Sequence, residues 1–187
     1  MSKGKLIVLS GPSGVGKGTI VKRVMKERPN CALSISCTTR APREGEKDGV
    51  SYFFLTRGKF AQMIEQNGFL EYSEHFSNFY GTPRFFVEQK LKEGNDVILE
   101  IEVDGALQVK KAYDEAILVM IAPPDEKALY SRLKGRGTED EGTIKRRMER
   151  ADYELSKTPL YDYVIINDDL DEAVGQVVQI LEQGENK

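Results

Sequence analysis

A glycine-rich stretch near the N-terminus constrains this 187-residue chain more than any other feature. Residues 11–19 read GPSGVGKGT and follow residues 5–10, an apolar run that is typical of a buried parallel strand. Beyond the glycines, apolar residues at positions 20, 21, 24 and 25 recur at helical spacing. Glycines between a strand and a helix let successive N–H groups face one anion, and the helix N-terminus adds the positive end of its dipole. The stretch therefore predicts a phosphate-binding loop.

Lys17 stands where its ammonium group can contact the β- and γ-phosphates of a nucleoside triphosphate. The residues expected around the triphosphate are Gly11, Pro12, Ser13, Gly14, Val15, Gly16, Lys17, Gly18 and Thr19. In the usual motif a hydroxyl that binds Mg²⁺ follows the lysine directly, but here Gly18 intervenes and the hydroxyl comes at Thr19. Thr19, or a water molecule that it holds, is therefore the candidate Mg²⁺ ligand in this loop.

The rest of the chain alternates apolar strands with helices. The pattern predicts strands at residues 32–37, 96–102, 116–122 and 163–166, and helices at residues 106–113, 127–133, 144–155 and 170–181. Such alternation is typical of a parallel sheet with helices on both faces, an α/β fold. Short aromatic strands at residues 51–55 and 69–73, with a helix near residues 60–64, break this rhythm and predict an inserted subdomain.

Charge and composition exclude several classes of protein. Lys and Arg total 27 against 30 Asp and Glu, and a net charge of −3 argues against a nucleic-acid partner. Two cysteines and one histidine, His75, are too few for a zinc site, and we expect His75 to be structural. No apolar run reaches the length of a membrane span. We therefore expect a cytoplasmic protein with small-molecule substrates and no membrane partner.

Two further groups of charged residues are candidates for a site. Residues 96–102 read DVILEIE, which places Glu100 and Glu102 at the end of a predicted strand, where ligands bind in open α/β folds. Glu100 is a candidate metal ligand, directly or through water, although exposed strand-end charges fit the same pattern. Arg40 and Arg43 lie three residues apart in a polar loop and could grip a phosphate group. An ordinary solvated basic loop fits them equally well, so this pattern leaves both interpretations open.

The chain resembles the guanylate kinases from about Lys5 to Leu181. The segments that carry the resemblance, in this order and spacing, are GPSGVGKGT, SISCTTRAPREGE, GVSYFF, FLEY, NFYGTP, ILEIEVDGA, GRGTE and VIINDDLD. The resemblance implies a single domain over residues 1–187 with a P-loop parallel sheet core. The core would comprise about residues 1–34, 84–125 and 158–187, with a small mixed α/β GMP-binding subdomain at about 35–83 and a helical lid at about 126–157.

The resemblance also implies an activity: transfer of the γ-phosphoryl group of ATP to GMP, and to dGMP, giving ADP and GDP with Mg²⁺ bound to the ATP. The implied catalytic residues are Lys17, Arg132, Arg136 and Arg147, and Asn167 would lie near the adenine. The implied GMP-binding residues are Ser36, Arg40, Arg43, Tyr52, Glu71, Tyr80, Thr82 and Glu102. One departure is Asp104, where many relatives carry Gln.

Glu71 is the candidate for base specificity among these residues. One carboxylate can accept hydrogen bonds from N1–H and N2–H₂ of guanine together, whereas adenine has no such pair of donors on that edge. A carboxylate facing adenine would lose about 1–3 kcal/mol or more through poor pairing. The alternatives are a kinase for another nucleoside monophosphate and a non-catalytic guanylate-kinase-like binding module. The sequence leaves open whether the chain is a monomer or a homo-oligomer.

Overall fold

The computed structural model describes residues 3–135 and 140–183. Its strands are β1 Leu6–Ser10, β2 Cys31–Leu33, β3 Cys37–Thr38, β4 Phe53–Phe54, β5 Phe69–His75, β6 Asn78–Pro83, β7 Asp96–Glu100, β8 Ile117–Ala122 and β9 Tyr163–Ile166. Its helices are α1 Lys17–Glu27, α2 Arg57–Glu65, α3 Arg84–Lys92, α4 Val103–Ala112, α5 Glu126–Lys134, α6 Glu141–Leu155 and α7 Leu170–Glu182, with a 3-10 helix at Thr158–Leu160.

Five strands form the parallel core sheet in the order β2-β7-β1-β8-β9. The central strand β1 is completely buried, and its alternate residues point to opposite faces. Ile7 and Leu9 pack with residues of α1 and α7 on one face, while Leu6 and Val8 pack with residues of α3 and α4 on the other. The predicted α/β sheet with helices on both faces is confirmed.

A second, smaller sheet has the order β4-β3-β6-β5 and mixes parallel and antiparallel pairs. Helix α2 covers it, with Phe60 stacked on Phe69 at 4.4 Å between ring centroids. Cys37 lies in the same cluster, and burial raises the pKa of its thiol to about 12. The predicted small mixed α/β element is therefore present.

Helices α5 and α6 form a separate small hydrophobic cluster. Leu129 and Leu133 of α5 pack with Ile144 and Ala151 of α6, which confirms the predicted apolar stripe. Each helix begins at an aspartate that caps it. Because these helices pack on each other, they form a unit apart from the two clusters that cover the core sheet.

The structure corrects the sequence interpretation at several elements. The strand expected at residues 32–37 is two strands, since β2 pairs with β7 in the core sheet and β3 pairs with β6 in the small sheet. The strand expected at residues 96–102 ends at Glu100, and Glu102 instead is the N-cap of α4. Helix α3 was missed, although Val87 and Leu91 show the four-residue apolar spacing of a helix. Within residues 3–135 and 140–183, no helix is long and apolar enough to cross a membrane.

Candidate nucleotide-binding site

The glycine-rich turn connects β1 to α1, as the sequence predicts. Gly11, Gly14 and Gly16 all have positive φ, a conformation that residues with a side chain rarely adopt. A Cβ atom on Gly11 would overlap the carbonyl oxygen of Ile121, and one on Gly16 would lie 2.6 Å from Asn167 Nδ2. Glycine is therefore required both by the backbone conformation and by the close approach of Ile121 on β8 and of Asn167, which follows β9.

The side chains of Asn167 and Arg132 both donate hydrogen bonds to the backbone of this turn. Asn167 Nδ2 donates to Val15 O over 2.8 Å, and the side chain is buried. Arg132 donates from Nη2 to Asn167 O over 2.8 Å and from Nη1 to Val15 O over 3.5 Å. The predicted catalytic Arg132 and the predicted ATP-binding Asn167 thus contact each other and the phosphate-binding turn.

Lys17 opens α1 and bends back over the turn. Its Nζ donates to Gly11 O over 2.5 Å and to Pro12 O over 3.0 Å. Burial lowers the pKa of Lys17, and the nearby carboxylates of Glu154 and Glu100 oppose that shift. The ammonium group therefore already lies at the turn, where a bound phosphate would replace the carbonyl oxygens as its partner.

A cavity of about 340 Å³ lies over this turn and reaches Glu100 at the end of β7. A Cβ atom on Gly18 would lie 3.3 Å from Glu100 Oε1, so glycine at position 18 leaves room for that carboxylate. Thr19 and Lys17 also line the cavity. A carboxylate and a hydroxyl beside a phosphate cradle suit Mg²⁺, which binds through one or two protein oxygens together with substrate phosphates. In the described part of the chain, no cluster of three or more Cys, His, Asp or Glu side chains could hold a metal alone.

Two of the three arginines predicted to be catalytic lie on described helices, Arg132 on α5 and Arg147 on α6. Arg147 Nη2 contacts Ser13 Oγ at the phosphate-binding turn. Arg146, in contrast, is exposed and bonds to Thr143 of its own helix. The helix geometry therefore favours Arg147 over Arg146 as a phosphate ligand. Arg136 lies outside the described residues.

A second cavity of about 590 Å³ opens between the core sheet and the small sheet; we call it the acceptor cleft. Of the residues predicted to bind GMP, the structure brings five to its wall: Ser36, Tyr52, Glu71, Tyr80 and Glu102. Glu100 lines both the acceptor cleft and the cavity over the phosphate-binding turn. The two cavities therefore meet at the end of β7.

Glu71 is the buried acid of the acceptor cleft, with 7% of its surface exposed. Thr82, its cross-strand neighbour on β6, donates from Oγ1 to Glu71 Oε1 over 2.6 Å. Burial raises the pKa of Glu71, and the hydrogen bonds from Thr82 only partly offset this. The predicted pair of Glu71 and Thr82 is thus formed, with the second carboxylate oxygen facing Gly105 of α4.

Glu46 organises the arginine loop, a role that the sequence interpretation missed. Arg40 Nη2 donates to Glu46 Oε1 over 2.8 Å, and Arg43 donates its backbone N–H to Glu46 Oε2 over 2.7 Å. The guanidinium of Arg40 also lies 5.5 Å from the ring centroid of Tyr52. Arg40 is therefore held beside the acceptor cleft, whereas the Arg43 side chain is exposed.

Comparison with known proteins agrees with this geometry. The family model described as guanylate kinase matches residues 3–184. A guanylate kinase of Carboxydothermus hydrogenoformans is 49% identical over 181 residues, which cover 97% of this chain and 89% of that protein.

The chain belongs to the guanylate kinase family.

Other members of the guanylate kinase family are similar in sequence and in structure. A guanylate kinase of Prochlorococcus marinus is 46% identical over 178 residues, covering 95% of this chain and 97% of that protein. The crystal structure of guanylate kinase from Anaplasma phagocytophilum has 31% identity and a TM-score of 0.75, and it covers 100% of this chain and 88% of that chain.

Several residues that the sequence interpretation did not assign also line the acceptor cleft of this family member. Ser73 and His75 alternate with Glu71 along β5 and so share its face, a signal that the sequence already contained. His75, expected to be structural, lies with Nε2 3.8 Å from Glu102 Oε2. Gly105 and Arg150 complete another part of the wall, and only the fold brings them there.

Proposed function

We propose that this member of the guanylate kinase family transfers the γ-phosphoryl group of ATP to the phosphate of GMP, giving ADP and GDP, with dGMP as a second acceptor. The observation that carries this proposal is the meeting of two cavities at Glu100. One has the glycine turn and lysine of a triphosphate site, and the other has a buried carboxylate suited to guanine. Phosphoryl transfer depends chiefly on such placement of donor and acceptor phosphates.

The acceptor is selected by Glu71. Its Oε1 is already bonded to Thr82, and a carboxylate oxygen has a second lone pair, so both oxygens remain available to N1–H and N2–H₂ of guanine. Because Glu71 is buried, an acceptor that leaves it unpaired binds less well by about 1–3 kcal/mol. Ser36 and Glu102 provide further contacts to the nucleotide. A kinase for another nucleoside monophosphate would not need this buried acid.

The acceptor phosphate binds to Arg40, Arg43, Tyr52 and Tyr80. Arg40 is oriented by Glu46 and Tyr52, so its planar donor group is held before the anion arrives. Arg43 is exposed and contributes its charge from the rim. These residues distinguish a monophosphate acceptor from a nucleoside, which lacks the anion.

The ATP phosphates bind to the backbone N–H groups of the turn and to Lys17, with Asn167 near the adenine. Thr19 and Glu100, directly or through water, would hold the Mg²⁺ ion. When bound, Mg²⁺ neutralises charge on the β- and γ-phosphate oxygens. The other turn residues fix the backbone that presents the N–H donors.

No catalytic base is required, because the attacking phosphate oxygen of the acceptor is already an anion at neutral pH. Arg132, Arg136 and Arg147 instead supply positive charge around the transferring phosphoryl group. Of these, Arg147 already contacts Ser13 at the turn, and Arg132 donates to the carbonyl oxygen of Asn167 beside the turn. A non-catalytic binding module would not need these cations at an intact phosphate-binding turn.

The functional division of the chain follows from these assignments. We assign the core to about residues 1–34, 84–125 and 158–187, GMP binding to about residues 35–83, and a lid to about residues 126–157. The substrates are small molecules, and we assign the activity to the cytoplasm. Closure of the lid would exclude water, a competing phosphoryl acceptor.

A coupled assay of ADP release tests this function, with ATP and Mg²⁺ and with GMP, dGMP, AMP, CMP or UMP as acceptor. We expect rapid turnover with GMP and dGMP, and rates with the other three that are about 10- to 100-fold lower. Equal rates with AMP and GMP would refute the assignment of Glu71. GMP binding without turnover would indicate a binding module.

A further inference from the structure

Four residues of α4 and α6 form a polar cluster at the rim of the acceptor cleft, which we call the α4–α6 clamp: Asp104, Arg150, Tyr153 and Glu154. Arg150 Nη2 donates to Asp104 Oδ2 over 2.8 Å, and Tyr153 OH donates to Asp104 Oδ1 over 2.9 Å. Both carboxylate oxygens of Asp104, on α4, are thus bonded to α6. Asp104 therefore joins the N-terminal end of α4 to two side chains of α6.

Glu154 orients Arg150 within the clamp. Glu154 is buried, with 4% of its surface exposed, and its Oε1 accepts from Arg150 Nε over 3.1 Å. Burial raises the pKa of Glu154, and the charges of Arg150 and Lys17 oppose the shift. A buried carboxylate without its cation is costly, so Glu154 fixes the Nε end of Arg150, although 44% of the Arg150 side chain is exposed. The remaining end of the guanidinium then points to Asp104.

Burial raises the pKa of Asp104, but the hydrogen bonds from Arg150 and Tyr153 outweigh this and leave the pKa below its ordinary value. The guanidinium of Arg150 lies 5.0 Å from the ring centroid of Tyr153, so the two donors also contact each other. An isolated exposed ion pair would contribute little. Here the pair belongs to a network with one buried member, which gives it a defined geometry.

The clamp lies close to Arg147 along α6. Arg147 and Arg150 are three residues apart, so they are neighbours on one side of the helix. Arg147 contacts Ser13 at the phosphate-binding turn, while Arg150 contacts Asp104 at the acceptor cleft. Helix α6 is therefore attached at two points that flank the place where the two cavities meet.

Arg150 also balances the charge of the acceptor cleft, which takes an anionic substrate. Four carboxylates line the cleft: Glu71, Glu100, Glu102 and Asp104. Among the described residues of its wall, Arg150 is the one arginine or lysine, and its Nη2 lies 3.7 Å from Glu102 Oε2. The clamp thus joins α6 to the acidic wall of the acceptor cleft.

We propose that Arg150 is a positioning residue for phosphoryl transfer: it fixes α6 against the N-terminal end of α4 and thereby holds Arg147 at the phosphate-binding turn. This inference rests on the proposed function, because it assigns Arg150 an effect that is exerted through a proposed catalytic residue. Asp104, Tyr153 and Glu154 are the groups that hold Arg150 in place.

A double-mutant cycle tests the dependence on Arg147. We expect Arg150→Gln to lower kcat by about tenfold with a smaller change in KM for ATP, since a small displacement of a catalytic group has a large effect on rate. In an Arg147→Ala background the same change should lower kcat by less than about twofold, because the group it positions is gone. Arg146→Gln, an exposed arginine on the same helix, is the matched control and should leave kcat unchanged. Equal effects of Arg150→Gln in both backgrounds would overturn the proposal.

A second pair of variants addresses folding, because Arg150→Gln leaves Glu154 without its cation. Asp104→Asn keeps the Arg150–Glu154 contact, and Arg150→Gln with Glu154→Gln removes both charges together. Both should reproduce the loss of kcat and its dependence on Arg147. Normal kcat in both variants would overturn the proposal.

Amide hydrogen exchange separates this inference from the proposed function, since it needs no substrate. Exchange in residues 147–155 of α6 should be faster in Asp104→Asn and Arg150→Gln than in Arg146→Gln. Unchanged exchange would contradict the clamp even in an active enzyme. If the variants show these differences in exchange but the wild-type protein does not phosphorylate GMP, the proposed function is refuted and the clamp remains supported.

Discussion

Gly105 of α4 faces the buried carboxylate of Glu71 so closely that a Cβ atom on it would lie 3.1 Å from Glu71 Oε2. The same Cβ would lie 3.4 Å from Ile101 Cδ1, so the position is confined on two sides. Thr82 holds the other oxygen, Oε1, over 2.6 Å. The Thr82 hydroxyl on β6 therefore fixes one oxygen of Glu71. Gly105 on α4 leaves the space that the other oxygen occupies.

Gly105→Ala should weaken GMP binding without unfolding the protein. The added methyl group would displace Glu71, so we expect KM for GMP to rise by about tenfold, while helix propensity favours alanine by about 1 kcal/mol. Steady-state kinetics and thermal denaturation measure the two effects. Gly175→Ala in α7, where a Cβ meets nothing within 4 Å, is the matched control and should raise stability alone. The same KM for GMP in Gly105→Ala and Gly175→Ala would contradict the account of Gly105.

Glu71→Gln should reduce discrimination between GMP and AMP. Glutamine retains an acceptor for Thr82 but replaces the second acceptor by an NH₂ donor, which opposes the donors of guanine. We expect kcat/KM for GMP to fall by about 10- to 100-fold, with a smaller change for AMP. Competition kinetics with both nucleotides measures this ratio. An unchanged ratio would show that another group recognises the base.

The free energy of unfolding should depend on pH through the titration of Glu71. Because burial raises the pKa of Glu71 in the folded state, its contribution to stability is complete below the unfolded pKa and is lost as pH rises through the folded pKa. Wild type should therefore gain stability relative to Glu71→Gln as the pH falls from neutrality toward the ordinary pKa of a glutamate. Urea denaturation followed by circular dichroism measures the difference, since the chain has no tryptophan. The opposite slope would indicate a lowered pKa.

Lys17→Met should abolish transfer without destabilising the fold. The ammonium group is proposed to stabilise charge on the transferring phosphoryl group, so we expect kcat to fall by at least about 100-fold. Burial lowers the pKa of Lys17, which means that the charged form is disfavoured in the folded state. The melting temperature should therefore stay equal or rise. Lys26→Met, at an exposed position of the same helix, should change neither quantity.

The core of the fold could be predicted from local patterns, because each strand is a continuous apolar run between turns. The strand at residues 32–37 was wrong because strand propensity does not encode the point at which a chain passes between sheets. Ser34 N still bonds to Ile98 O of β7, and two residues later Ser36 lines the acceptor cleft. The position of the break is decided by the pairing of β2 with β7 and of β3 with β6, which local sequence does not encode.

The site was predictable where one segment contains its chemistry, as in the turn that ends at Lys17. The pairing of Glu71 with Thr82 followed from resemblance, and the hairpin of β5 and β6 brings the two together. Gly105 and Arg150 were missed because their roles arise from contacts between elements distant in the chain, Gly105 of α4 with Glu71 of β5 and Arg150 of α6 with Asp104 of α4. A single glycine or arginine on a helix has no local signature for such a contact.

The most direct test of the central claim follows the label from [γ-³²P]ATP in the presence of GMP and Mg²⁺, with nucleotides separated by ion-exchange chromatography. The account predicts that ADP and GDP form in equal amounts, that the label appears in GDP, and that Lys17→Met forms both at least about 100-fold more slowly. Label released as inorganic phosphate, with no labelled GDP, would contradict phosphoryl transfer between two bound nucleotides.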